Sequence, residues 1–189
     1  MKIAILGWGS LIWKPEKLEY NIDFEWSEEG PILPIEFARI SNDGRLTLVI
    51  SDLVKEVRTL FAISTFESLE KAILNLALRE GSNISTIGYY IKSNSKISPI
   101  NFKHKNNIKN WIEQNDYVDA VIWTNLPENW KAKTKFHDRI EYLLSLDEKA
   151  SKTAEEYIRK TPEQINTELR SEIEEKLNWK FNAEKNWNI

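Results

Sequence analysis

Apolar residues run unbroken from Ile3 to Leu6, and the run stops at Gly7-Trp8-Gly9-Ser10-Leu11. A short, fully apolar stretch closed by glycine predicts a buried strand over 2–6. From Lys14 to Pro34 the pattern is polar and broken by Pro15, Gly30, Pro31 and Pro34, which predicts a long connection. Ile35–Ile40 alternates loosely as a strand. Asn42-Asp43-Gly44 is a strong hairpin turn, after which Leu46, Leu48 and Ile50 share one face. Val57–Ile63 reads as another strand. Ser64-Thr65-Phe66-Glu67 has the form of a capping box, and Leu69, Ala72, Ile73, Leu76 and Ala77 come after it at helical spacing up to Gly81. This predicts a helix over about 66–80 with Gly81 as its left-handed stop. Strands over 87–91 and 120–123 flank a short helix near 107–114.

From about residue 134 the period becomes helical throughout. Segments near 134–146, 148–160 and 167–178 are amphipathic, Pro162 separates the last two, and Thr167 is placed to cap the third. Their Glu and Lys runs read as solvated faces. Strands first and helices last give an α+β chain: a mixed sheet or small barrel over 1–130, then a helical extension over 131–189 packed on it.

Composition narrows the chemistry. A hydrophobic share of 41% beside 29% charged residues supports a real core. The net charge of −3, with basic residues scattered among acidic ones, argues against nucleic acid as a partner. Cysteine is absent, so thiolate catalysis and disulfides drop out, and His104 and His137 are too few for a histidine-rich metal site. No apolar run is long enough to span a bilayer and no signal peptide is recognisable, so a cytoplasmic location without a membrane partner is expected. A homo-oligomer is allowed. The 8 tryptophans read mostly as core fillers, with Trp8 set apart by its place in the glycine turn.

Two pieces carry candidate chemistry. The Gly7–Leu11 turn can aim backbone N–H groups at one point, since glycine tolerates φ > 0 and brings no Cβ, which suits a carboxylate. From the short pattern alone, a tight strand-to-loop turn that requires glycine and binds nothing is the favoured reading, because Gly-x-Gly is common. Glu80, with Arg79, falls in the last helical turn, where unpaired carbonyls raise a carboxylate's proton affinity, as burial also would; Arg79 opposes this. An exposed Glu beside an Arg on a solvated face is the plainer alternative. Glu36, flanked by apolar residues, competes as an extra acid or base, with Asp119 and Glu141 of similar standing; His137-Asp138 reads as a surface pair.

The segment Gly7-Trp8-Gly9-Ser10-Leu11-Ile12-Trp13-Lys14-Pro15 closely resembles the Tyr-Gly-Ser-Leu opening of γ-glutamyl cyclotransferases, especially the ChaC-like branch. Gly44–Val49, Val57–Ile63, and Leu78-Arg79-Glu80-Gly81 succeeded by Gly88-Tyr89 are similar to later parts of that family in the same order. The resemblance covers roughly residues 1–125. It implies a small mixed barrel, no cofactor, and release of 5-oxoproline by attack of a substrate's α-amine on its own γ-carbonyl. Carried over, Glu80 is the acid–base, and the Gly9, Ser10 and Leu11 backbone holds the glutamyl group. Gly7, Trp8, Glu36 and Tyr89 join them as substrate-binding candidates. Trp8 stands where the family has tyrosine, which removes a hydroxyl. The alternative is a catalytically inactive member that binds a metabolite or a protein partner. A third option is another amide-cleaving or transferring reaction on the same fold, using Glu36.

Overall fold

The structure, a computed structural model, describes residues 1–52 and 54–182. The fold is mixed α+β, with two sheets and six α-helices among the described residues. The chain divides into two compact units, each assembled from separate stretches. The first takes Met1–Gly7, Lys14–Leu33 and Arg58–Leu126. The second takes Trp8–Trp13, Pro34–Val57 and the described residues from Pro127 on. Among the described residues no helix is long and apolar enough to cross a membrane.

The first unit holds a five-stranded sheet. Its strands are β1 (Ile3–Gly7), β5 (Leu60–Ile63), β6 (Ile87–Ile91), β7 (Lys96–Ser98) and β8 (Ala120–Thr124), in the order β5-β1-β8-β6-β7. β1 runs parallel to β8 and antiparallel to β5. All five β1 residues are buried, as a strand covered on both faces requires. Residues 20–27 lie along the outer edge of β5: Ser27 and Phe61 exchange backbone bonds at 2.8 and 3.0 Å, and Asn21 N–H donates to Ile63 O at 2.7 Å. The connection expected over Lys14–Pro34 therefore covers a sheet edge that would otherwise stay open. Helix α1 (Leu69–Glu80) packs against β8 and β6 with Leu69, Ala72, Leu76 and Ala77 buried. α2 (Lys105–Glu113) sends Trp111 edge-on to Phe61, with ring centroids 5.0 Å apart.

The second unit contains β2 (Ile32–Ile40) from Pro34 on, β3 (Leu46–Ile50), and the helices α3 (Trp130–Lys133), α4 (Arg139–Leu144), α5 (Glu148–Lys160) and α6 (Glu168–Leu177). β2 and β3 form the hairpin that Asn42-Asp43-Gly44 predicts; Gly44 sits at φ 85°, where a side chain is disfavoured. With β4 (Glu56–Arg58) they make a three-stranded sheet ordered β3-β2-β4. The outward backbone of Ile40 is paired by Asn129, whose side chain accepts from its N–H at 2.7 Å and donates to its carbonyl at 3.0 Å. Arg170 is only 1% exposed and locks the α5–α6 link by donating to the carbonyls of Thr161, Pro162 and Ile165 and pairing with Glu174.

Several local expectations shift. The strand expected over Val57–Ile63 is two strands in different sheets, because Thr59 donates its N–H and hydroxyl to Pro31 O and accepts from Gly30 N–H. The helix expected from 66 starts at Leu69: Ser68 caps it by accepting from Lys71 N–H, while Ser64 accepts from Phe66 N–H in a tighter turn. Residues 134–146 are not one helix, since Asp138 accepts from Ile140 and Glu141 N–H and starts α4 there. The expected barrel is replaced by open sheets, with β5 and β7 as the two ends of the larger one. Of the tryptophans, Trp8, Trp111, Trp123 and Trp130 are buried and Trp187 lies outside the described residues.

Candidate active site

In the first unit, topology delivers Glu80 to one end of the sheet. β5 finishes at Ile63, opposite Ala4 at the start of β1. α1 then runs back for 12 residues, about 18 Å at 1.5 Å per residue, which matches the length of a five-residue strand. The chain re-enters the sheet at Ile87, which pairs with Thr124 at the end of β8. The helix C-terminus, Gly7 and Thr124 therefore share the end where the two parallel strands finish. Gly81 turns the chain there at φ 59°, with Gly81 N–H on Leu78 O and Ser82 N–H on Ala77 O.

The Glu80 side chain is 17% exposed and that of Arg79 is 9% exposed. Arg79 Nη1 donates to Glu80 Oε1 at 3.0 Å, while its Nη2 donates to the Lys14 carbonyl at 2.8 Å. Asn75, one turn earlier, donates to Lys17 O and accepts from Glu19 N–H, so α1 grips the chain as it re-enters this unit. Burial raises the Glu80 carboxyl above its ordinary value, Arg79 pulls it back by charge and hydrogen bond, and Glu16 adds repulsion. Burial, expected from the sequence beside the helix end, is the first cause of the rise. Thr124 Oγ1 and Trp26 Nε1 are buried without a hydrogen-bond partner among the described residues, and neither was visible as a candidate in the sequence.

Gly7 and Gly9 do not adopt positive φ. Both are glycine because something else occupies the place of a Cβ. At Gly7 that is the Trp26 ring, which an added Cβ would meet at 2.5 Å. At Gly9 it is the Tyr157 hydroxyl, also at 2.5 Å and within the second unit. The left-handed freedom argued for this turn is unused; its demand is close approach.

Residues Trp8–Trp13 belong to the second unit. Trp8 is 6% exposed and its Nε1 donates to Leu48 O at 3.3 Å. Leu11 and Ile12 are buried, and Ile12 N–H closes a turn on Gly9 O at 3.0 Å. Leu48 N–H, on the free side of β3, donates to Tyr157 Oη at 3.3 Å. Trp8 and Tyr157 thus cap both outward polar groups of one edge-strand residue. Tyr157 carries no sequence signal for such a role, because its position on α5 reads only as the apolar face of a charged helix.

Glu36 is 2% exposed, and its carboxylate is taken up inside the second unit. Oε1 accepts from Phe37 N–H at 2.8 Å and Thr167 Oγ1 at 2.6 Å; Oε2 accepts from Leu169 N–H at 3.3 Å. It closes the N-terminus of α6, where a carboxylate is favoured. Tyr89 lies mid-strand, between Ile122 and Ser98. Asp119 accepts from Lys2 N–H at 2.7 Å. The candidates therefore fall into an acid–base group, Glu80 with Arg79, and a loop group, Trp8 to Leu11 with Tyr157. Compared with family models, curated proteins and solved structures, the chain matches none.

Proposed function

We propose that this protein is a γ-glutamyl cyclotransferase-like enzyme of the cytoplasm that acts on a small γ-glutamyl amine or peptide, with Glu80 as its acid–base. The observation that carries this reading is a carboxyl held at a helix end and largely withdrawn from water, with raised proton affinity. Arg79 supports it in a particular way: its second nitrogen is committed to a backbone carbonyl, so the guanidinium is held beside the carboxyl.

The reaction needs no protein nucleophile. The substrate's α-amine, freed of a proton by Glu80, attacks its own γ-carbonyl. The C–N bond of the amide breaks, the ring closes as 5-oxoproline, and Glu80 returns the proton to the departing nitrogen. Ring closure within one molecule supplies the proximity that a two-body reaction lacks. The reading takes from the resemblance that the backbone N–H groups of the Gly9–Leu11 loop hold the glutamyl carboxylate. No cofactor takes part.

The 3.0 Å Arg79–Glu80 pair favours a second reading, in which the carboxylate is structural and the protein binds a metabolite or a partner without turnover. One experiment separates the two. The purified protein is offered a panel of γ-glutamyl amines and peptides and 5-oxoproline is measured. Release by the native chain, reduced about 10²–10⁴-fold in Glu80→Gln, is expected for a general acid–base. Equal release by both proteins removes Glu80 from the chemistry, and no release by either favours the binding module.

A further inference from the structure

We propose that Tyr157 is the positioning residue of the glycine loop, its hydroxyl setting the backbone of Gly9 and so the direction of the Ser10 and Leu11 amides. The inference rests on the reading of that loop as the glutamyl-binding element. It extends the site to α5, a helix beyond the roughly 125 residues that carry the resemblance.

The phenol has little freedom to move. Tyr157 is 5% exposed; Trp13 stands edge-on at 5.3 Å between centroids, Phe37 at 6.3 Å, and the Arg45 guanidinium lies over the ring at 5.4 Å. A ring held on these sides has its oxygen fixed, and Leu48 N–H holds that oxygen from β3. The oxygen stands 2.5 Å from where a Gly9 Cβ would be, so the backbone of Gly9 rests directly against it. On the other side of Gly9, Trp8 is fastened to the carbonyl of the same Leu48. The loop is therefore clamped before and at Gly9, and the bond from Ile12 N–H to Gly9 O bends the Ser10-Leu11 segment. Trp8 brings no hydroxyl to this turn, and Tyr157 brings one from a position 148 residues beyond Gly9 in the chain.

This geometry makes Gly9 and Tyr157 interdependent. In the full-length protein, Gly9→Ala forces a Cβ onto a fixed oxygen, whereas in a Tyr157→Phe background the oxygen is gone and the ring packing stays. Urea denaturation of the two single variants and the double variant reads the coupling. Gly9→Ala is expected to lower the folding constant at least tenfold more in the native background than in Tyr157→Phe; an equal loss in both overturns the proposal. The amide resonances of Gly9, Ser10 and Leu11 should move in Tyr157→Phe while those of β6 do not, and unmoved loop amides overturn it as well.

On whichever panel compound the native protein turns over, Tyr157→Phe is expected to raise KM about tenfold with kcat within twofold. Unchanged KM contradicts a positioning role. If the native protein releases no 5-oxoproline at all, the functional reading fails, while the Gly9→Ala coupling and the amide shifts still decide the part played by Tyr157.

Discussion

Arg79 and Glu80 are chain neighbours that pair at 3.0 Å, and the same guanidinium holds the carbonyl of Lys14, 65 residues earlier. Adjacent helical residues do not face each other, yet these two, both in the last turn of α1 before Gly81, meet through the long arginine side chain. One arginine thereby neutralises part of a buried charge and anchors the returning chain.

The pair gives a pH dependence of definite sign. Burial sets the folded-state value of Glu80 above 4.5, its value in the unfolded chain. Between 4.5 and that raised value the native state binds more protons than the unfolded chain, so stability falls as pH climbs through the window. Glu80→Gln removes this component. Urea denaturation of both proteins from about pH 4.5 to about pH 8 should show the native chain losing ground to the variant as pH rises. A constant difference across the range would refute the raised proton affinity.

Glu36 and Thr167 join β2 to the start of α6, and Thr167 serves twice, capping Arg170 N–H at 3.1 Å and donating to the carboxylate. Thr167→Val removes both roles: about 1 kcal/mol for the cap and about 1–3 kcal/mol for the donor lost to a buried acceptor. A loss of about 2–4 kcal/mol in denaturant is expected, with Thr167→Ser close to the native value. A Thr167→Val protein within about 0.5 kcal/mol of native would show that the bond contributes nothing.

Two glycines separate crowding from backbone conformation. A Cβ on Gly88 would stand 2.2 Å from the Trp123 ring, itself fully buried, whereas one on Gly81 meets nothing within 4 Å but must adopt φ 59°. Gly88→Ala should cost about 2–3 kcal/mol through overpacking and alter tryptophan fluorescence. Gly81→Ala should cost about 1 kcal/mol and leave the fluorescence alone. Thermal unfolding tracked by emission reads both, and a larger loss at Gly81 would reverse the ranking.

Much of the secondary structure was legible because its signals are local. Burial of every β1 position, the glycine of the hairpin turn and the stop at Gly81 each come from a few adjacent residues. Capping was legible in kind but not in place: Ser64 and Ser68 both precede the residues a cap needs, and only packing of Leu69 chooses the second. Thr59 could not be recognised as a break, since the carbonyl that takes its donors belongs to Pro31.

The sequence by itself determined most strands and helices in kind, that glycine is needed in the first turn, and which carboxylate sits at a helix end. Tertiary structure alone decided why that glycine is obligatory, with the Tyr157 oxygen rather than φ as the reason, and that Glu36 closes a helix 131 residues away. The division has one cause. Periodicity and turn chemistry act over a few residues, whereas the meeting of two side chains more than a hundred residues apart depends on how whole elements fill space, which no local pattern encodes.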